Sequence, residues 1–192
     1  MNNIYYLVRH GLDKLYSEKK HNGWTKNNPL TKKGKNQANK AKKILDLEKI
    51  DLIFSSDILR AKQTARIISK GLGVEITEDK RLRDLRRSKK MEGMHFSKFT
   101  RLKNYKKYMK NKNRPNFKLP DGESTNDLNK RVDNFINFAE NTYKNKKILL
   151  SCHCATIQSL AKNLTNKRVS LKKISHGSIH KVHGVNTIEK LT

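Results

Sequence analysis

Apolar positions along the chain follow two different periods. Short runs at Ile4 to Val8, Asp51 to Ser55, Ile148 to Cys152 and Ser178 to Val185 read as strands, and Val74 to Ile76 as a further short one. Between them, Lys32 to Leu47, Leu59 to Leu72, Ser124 to Tyr143 and Thr156 to Leu164 carry apolar or small residues at helical spacing. Val132, Phe135, Ile136 and Ala139 share one face of the third helix, Thr31 stands as an N-cap, and Gly73 closes the second helix. From Arg81 to Gly122 the period is lost, although Phe96 to Lys110 is compatible with a helix. Alternating strands and helices predict an α/β fold, doubly wound, with a mostly parallel central sheet and helices on both faces.

A chain of 192 residues suits one domain, spanning 1–192. Its apolar runs are strand-sized, well short of the roughly 20 residues of a membrane helix. No secretory h-region precedes Ile4, so a cytoplasmic location is expected. The 44 Lys and Arg against 17 Asp and Glu give a formal net charge of +27. Such a field draws polyanions, whether nucleic acid, anionic membrane or a phosphorylated substrate, without choosing among them. Because the lysines are spread along the whole chain, a compositional bias filling solvated positions is the simpler reading. The clusters Arg86 to Lys90 and Arg101 to Arg114, the latter interleaved with Tyr105 and Tyr108, are more local and suit a basic rim or a nucleic-acid surface. The oligomeric state is not legible.

Candidate chemistry sits at two strand ends. Arg9-His10-Gly11 follows the first strand, and His153 follows the strand ending at Cys152. If these strands are parallel neighbours, both imidazoles emerge at one carboxyl edge, where open α/β sheets bind ligands. An arginine fork suits phosphate oxygens, and a neutral imidazole beside it is a nucleophile toward phosphorus, so phosphoryl transfer is the natural reaction. Cys152 and Cys154 flank His153. A zinc site is one reading, but alternating side chains along a strand do not converge on one ion, and packing of buried, reduced thiols is favoured.

Further segments extend the pattern: Leu7 to Gly11, Pro29-Leu30-Thr31 with Gly34, Gln37 and Ala38, Ser55-Ser56-Asp57 with Arg60, Ala61 and Gln63-Thr64-Ala65, Arg81 to Asp84, Pro120 to Ser124 with Arg131, and Ser151-Cys152-His153. In this order and spacing the chain resembles the histidine phosphatase superfamily, the phosphoglycerate mutase-like enzymes, over nearly its whole length. The resemblance implies a metal-independent phosphomonoester hydrolase without cofactor, working through a phosphohistidine on His10. It implies a phosphate pocket of Arg9, Arg60 and His153. It also implies a carboxylic proton donor at Asp84, with Asp121, Glu123 and Glu92 as competitors. The basic insertion at about 86–119 falls where the family carries the segment that covers the active-site mouth. A phosphorylated small molecule or phosphoprotein is then the expected substrate, while nucleic acid is compatible with the charge but not required.

Departures from the family pattern bear on affinity and substrate choice. Leu12-Asp13, Tyr16 and Lys20 follow the Arg-His-Gly turn, and the asparagine that usually helps to bind phosphate is missing from its place, leaving Asn22 or the Tyr16 hydroxyl as substitutes. Cys154 stands where glycine is usual, and Arg86 to Lys90 replaces a glycine and aromatic mixture. Two alternatives remain open: a mutase-type phosphoryl transferase, disfavoured because this chain has little extra length with which to exclude water, and a basic polyanion-binding protein that keeps the fold.

Overall fold

The structure is a computed structural model and describes residues 2–25, 27–111, 113–167, 169–170, 173–184 and 187–191. The elements run β1 (Ile4–Arg9), α1 (Lys14–Ser17), α2 (Lys32–Asp46), β2 (Leu52–Ser55), α3 (Leu59–Leu72), β3 (Ile76–Glu78), α4 (Phe96–Phe99), α5 (Lys103–Asn111), α6 (Thr125–Thr142), β4 (Lys147–Cys152), α7 (Cys154–Thr165), β5 (Ile179–Val182) and β6 (Ile188–Lys190). The sheet order is β3-β2-β4-β1-β5-β6. β3, β2, β4 and β1 are mutually parallel, while β5 and β6 are antiparallel additions on the β1 side.

Strand alternation explains why helices cover both faces. Tyr5 and Leu7 of β1, with Ile148, Leu150 and Cys152 of β4, pack under Leu128, Val132, Phe135 and Ala139 of α6 and Ile157 and Leu160 of α7. Tyr6 and Val8, with Leu149, face Ala41 and Leu45 of α2 and Ala65 and Ile68 of α3. Both buried tyrosines keep a partner for the hydroxyl, Tyr5 donating to Glu140 at 2.7 Å and Tyr6 to Glu48 at 2.6 Å.

Local signals behave as read at most helix ends. Thr31 accepts the Gly34 N–H at 3.0 Å. Gly73 takes φ +66° in the left-handed region that L side chains avoid. Ser124 forms a reciprocal capping box with Asp127 at the start of α6. Other expectations shift. β3 begins at Ile76 instead of Val74, because pairing starts where Ile76 meets Ile53. β5 ends at Val182, as the His183 N–H turns back to the Thr187 carbonyl and leads into β6, a three-residue edge strand too short to leave a pattern. Val185 lies outside the described residues, as does Lys112 in the basic stretch.

The expected helix over Phe96 to Lys110 is divided at residues 100–102 into α4 and α5. This segment also has a small core of its own, Met91 and Leu119 with Phe96, Leu102, Tyr105, Tyr108 and Phe117, which a purely irregular loop would lack. Among the described residues no helix is long and apolar enough to cross a membrane.

Candidate active site

The parallel pairing of β1 with β4 sets Arg9 beside Cys152, and the His10 N–H donates to the Cys152 carbonyl at 3.0 Å. His10 and His153 therefore leave the same sheet edge, with ring centroids 5.1 Å apart. The turn after His10 is held by side chains distant in sequence. The Gly11 N–H donates to Thr64 Oγ1 at 3.1 Å, the Leu12 N–H to Gln37 Oε1 at 2.9 Å, and the Leu30 N–H to Gln63 Oε1 at 2.8 Å. Thr31 donates from both its N–H and its hydroxyl to the Leu12 carbonyl, each at 2.9 Å. A Cβ on Gly11 would stand 2.2 Å from the Gly34 carbonyl oxygen, so only glycine lets the turn meet the start of α2.

This scaffold fixes the chemistry of His10. Its Nδ1 donates to the Gly11 carbonyl at 2.8 Å, leaving Nε2 with the lone pair. Arg60, carried on the first turn of α3, donates from Nε to that Nε2 at 3.2 Å and from Nη2 to the Gly23 carbonyl at 2.9 Å. Burial, then Arg60, His153, His176 and Arg9 in turn, push His10 well below the ordinary imidazole pKa, so its ring is neutral near pH 7. Burial and the same two arginines, with Arg131, do so for His153.

Arg9, Arg60 and His153 each present a buried polar atom without a hydrogen-bond partner among the described residues: Arg9 Nε, Arg60 Nη1 and His153 Nδ1. Buried polar atoms are seldom left so, and two guanidinium groups with an imidazole nitrogen, on residues gathered around His10, suit an anion. Arg9 is otherwise anchored, donating to the Ile174 carbonyl at 2.7 Å and to His176 Nε2 at 3.0 Å. His153 Nε2 shares a hydrogen bond with Ser56 Oγ at 3.0 Å.

Arg9 and His10 open onto a cleft of about 1120 Å³. Asp84 is the sole carboxylate among its described lining residues. Its Oδ1 accepts the Ala155 N–H at 3.3 Å in the first turn of α7, and its backbone carbonyl accepts from Trp24 Nε1 at 2.6 Å and Arg131 Nη2 at 2.9 Å. The competing carboxylates are engaged elsewhere. Glu123 takes both its oxygens to Arg131 at 2.9 Å, Glu92 accepts from the Trp24 N–H and Arg86, and Asp121 from Ser88 and Lys90.

Tyr16 and Asn22 both line the cleft. Tyr16 is 44% exposed and stacks edge-on with His176 at 4.7 Å. The Asn22 amide is drawn inward instead, donating to Asp13 Oδ2 at 2.9 Å and accepting from Asn28 at 3.2 Å. Of the basic run Arg86 to Lys90, only Arg87 lines this cleft. Arg86 is paired with Glu92 and stacked on Trp24, while Lys89 and Lys90 are exposed. Cys152 is buried in the core and Cys154 lines the cleft, both as free thiols whose pKa burial raises.

The chain matches the histidine phosphatase superfamily (branch 1) over residues 5–189. It belongs to the histidine phosphatase superfamily. Among superfamily relatives, it is 36% identical over 129 residues to a probable phosphoglycerate mutase GpmB of Citrobacter koseri, the match covering 67% of this chain and 59% of that one. With the counterpart in Escherichia coli O139:H28 it shares 32% identity over 149 residues, covering 77% and 68%. The fold is that of the alpha-ribazole phosphatase of Shigella flexneri, with a TM-score of 0.81, 20% identity and coverage of 97% and 94%. It is equally that of the mycobacterial glucosyl-3-phosphoglycerate phosphatase complexed with VO3, with a TM-score of 0.80, 18% identity and coverage of 97% and 95%.

His176 and Asp13 escape the sequence reading of this member of the superfamily. His176 packs edge-on against His10, with centroids 5.4 Å apart. Its signal is present: His176-Gly177 precedes β5, which runs antiparallel to β1 and so begins at the edge where β1 ends. Asp13 is fully buried, caps α1 by accepting the Tyr16 N–H, and lies 3.8 Å from His10 Nδ1. Ligand atoms of His10, Asp13 and His176 lie within 4.8 Å of one another, the one such grouping among the described residues. The donor set fits a cation poorly, because Arg9 already donates to His176 and Arg60 to His10, and an ion there would meet two guanidinium groups.

Proposed function

We propose that this protein is a metal-independent phosphomonoester hydrolase in which His10 Nε2 attacks phosphorus and water then releases phosphate from phospho-His10. The observation that carries the reading is the fixed tautomer of His10, with Nδ1–H on the Gly11 carbonyl and Nε2 against Arg60 Nε, beside unpartnered buried atoms of Arg9, Arg60 and His153. In the first step the N–P bond forms as the P–O ester bond breaks, and Asp84 supplies the proton that the departing alkoxide needs. In the second step water attacks the phosphoimidazole, the N–P bond breaks, and Asp84 takes the proton back. Both arginines hold the phosphoryl oxygens while charge builds on them. Asp84 is preferred as the acid because no other carboxylate lines the cleft among the described residues.

The chain is then a single histidine phosphatase domain, 1–192, whose segment 86–119 forms a cap at the mouth of the cleft, contributing Arg87, Tyr105 and Tyr108 to its walls. Its substrate is a phosphorylated small molecule or a phosphoprotein. The mutase-type reading gains from the names of the GpmB relatives. A mutase must shield its phosphoenzyme from water, and the single modest insertion of this chain gives little with which to do so, which favours hydrolysis. A screen of phosphorylated metabolites and phosphopeptides, run on wild type and His10→Ala in parallel, tests the reading. Phosphate release by wild type alone supports it, equal release by both contradicts it, and phosphoryl transfer to a second substrate without release would favour the mutase.

A further inference from the structure

Asp84 stands on a different segment from His10 and from Arg60, so an acid there serves only if its place relative to those two is fixed. A two-residue span makes that connection. The Gly23 carbonyl accepts from Arg60 Nη2 at 2.9 Å, and the next residue, Trp24, donates from its indole Nε1 to the Asp84 carbonyl at 2.6 Å. Since Arg60 Nε also donates to His10 Nε2 at 3.2 Å, a continuous line of contacts runs from His10 through Arg60, Gly23 and Trp24 to Asp84. The indole is itself held. The guanidinium carbons of Arg83 and Arg86 lie 4.9 and 5.0 Å from its ring centroid, and both arginines are ion-paired, with Asp57 and Glu92 respectively. Glu92 also accepts the Trp24 backbone N–H at 2.9 Å. Gly23 adopts φ +50°, and a Cβ there would stand 2.5 Å from Glu92 Cγ, so glycine lets the span close against that carboxylate.

The other supports of Asp84 act from different directions. Arg131 Nη2 reaches the same carbonyl at 2.9 Å, but it belongs to α6, which carries no residue of the proposed phosphate cradle of Arg9, Arg60 and His153. The Ala155 N–H reaches the carboxylate at 3.3 Å from the first turn of α7, and so relates it to His153. Trp24 supplies the tie to the Arg60 and His10 side. Protonation of a leaving oxygen depends on alignment, and a displacement of about 1 Å can cost such a step up to about 10²-fold while leaving binding and nucleophilic attack in place.

We propose that Trp24 is a positioning residue for the acid, its indole N–H holding Asp84 where the carboxyl protonates the leaving oxygen of a phosphoryl group seated on Arg60 and His10. This rests on the hydrolase reading with Asp84 as its acid, and it adds what places that acid relative to the nucleophile.

Trp24 is the one tryptophan of the chain, so biosynthetic replacement of tryptophan by benzothienylalanine changes no other residue; it keeps the shape of the ring and removes its N–H. This protein and Trp24→Phe are compared with wild type and Asp84→Asn on an alkyl phosphate and on p-nitrophenyl phosphate. Alkyl turnover should fall by about threefold to tenfold in kcat, while KM and the aryl rate stay within about twofold of wild type. Adding Asp84→Asn to Trp24→Phe should cost no more on the alkyl ester than Asp84→Asn does by itself, because one residue acts through the other. Where Trp24→Phe fails to fold, as circular dichroism shows, the same comparison is made with the isosteric replacement. If Asp84→Asn separates the two substrates and loss of the indole N–H does not, or if the two effects multiply, the proposal is overturned and the acid assignment stands. If Asp84→Asn does not separate them, or wild type hydrolyses neither, the acid or the hydrolase reading fails and the proposal falls with it.

Discussion

Arg60 Nε lies 3.2 Å from His10 Nε2, so the cation to which the proposed mechanism assigns the phosphoryl group rests, without substrate, on the lone pair to which it assigns the attack. Both groups are buried, and their contact keeps the imidazole neutral and aimed. Phosphate oxygens would take over the guanidinium and release Nε2 for in-line attack.

Arg60→Lys keeps a charge but loses the planar fork, and so cannot reach the phosphoryl oxygens and the Gly23 carbonyl together. A fall in kcat/KM of about 10²–10³ is expected, in the range for removing one oxyanion donor. Steady-state kinetics measures it, with circular dichroism to establish that the variant is folded. A fall of less than threefold would remove Arg60 from the phosphate pocket.

Asp84→Asn separates the acid from the nucleophile. Alkyl phosphates should slow by about 10²–10⁴, and an aryl phosphate, whose leaving group needs no proton, by much less. An equal loss on both would assign Asp84 a purely structural part, which its Ala155 contact on α7 would then explain.

These two variants also mark what the chain discloses before it is folded. His10 and His153 are legible as a pair because parallel neighbouring strands send their ends to one edge, and β1 and β4 are such neighbours. Helix caps at Thr31, Gly73 and Ser124 are legible because their chemistry is local. The work of Gln37, Gln63 and Thr64 is not, since each bonds a backbone group more than twenty residues away. Nor is the choice between Asp84 and Glu123, which turns on the pairing of Glu123 with Arg131 across the start of α6. The basic run Arg86 to Lys90 has no period from which to read direction, and its members diverge: one into the cleft, one onto Trp24, two outward.

Four buried histidines and the half-buried His176 make stability depend on pH. His10 and His153 are held far below the ordinary imidazole value, and His21, His176 and His180 are each lowered to about 4, with burial the largest cause in every case. Each ring is neutral when folded and takes up a proton on unfolding below about pH 6.5, so their contribution is complete above that value and is lost as pH falls toward 4. The melting temperature should therefore drop steadily between about pH 6.5 and 4. A flat profile through that window would contradict the buried neutral rings. Inorganic phosphate should soften the fall, since an anion in the cradle favours protonated imidazole.

Turnover should be unaffected by a strong chelator, because the proposed mechanism has two arginines supply the positive charge that a metal ion would bring. Assay after dialysis against chelator checks this. A loss restored by a divalent cation would point to an ion at His10, Asp13 and His176 and would contradict the metal-independent route.

The most direct test of phosphohistidine catalysis is rapid quenching with a labelled phosphomonoester, followed by peptide mapping of the protein. Label on His10, stable to alkali and lost in acid as a phosphoramidate is, absent from His10→Ala and decaying at the rate of turnover, is the expected result. Acid-stable label on a serine, label on a carboxylate, or full turnover by His10→Ala would contradict it.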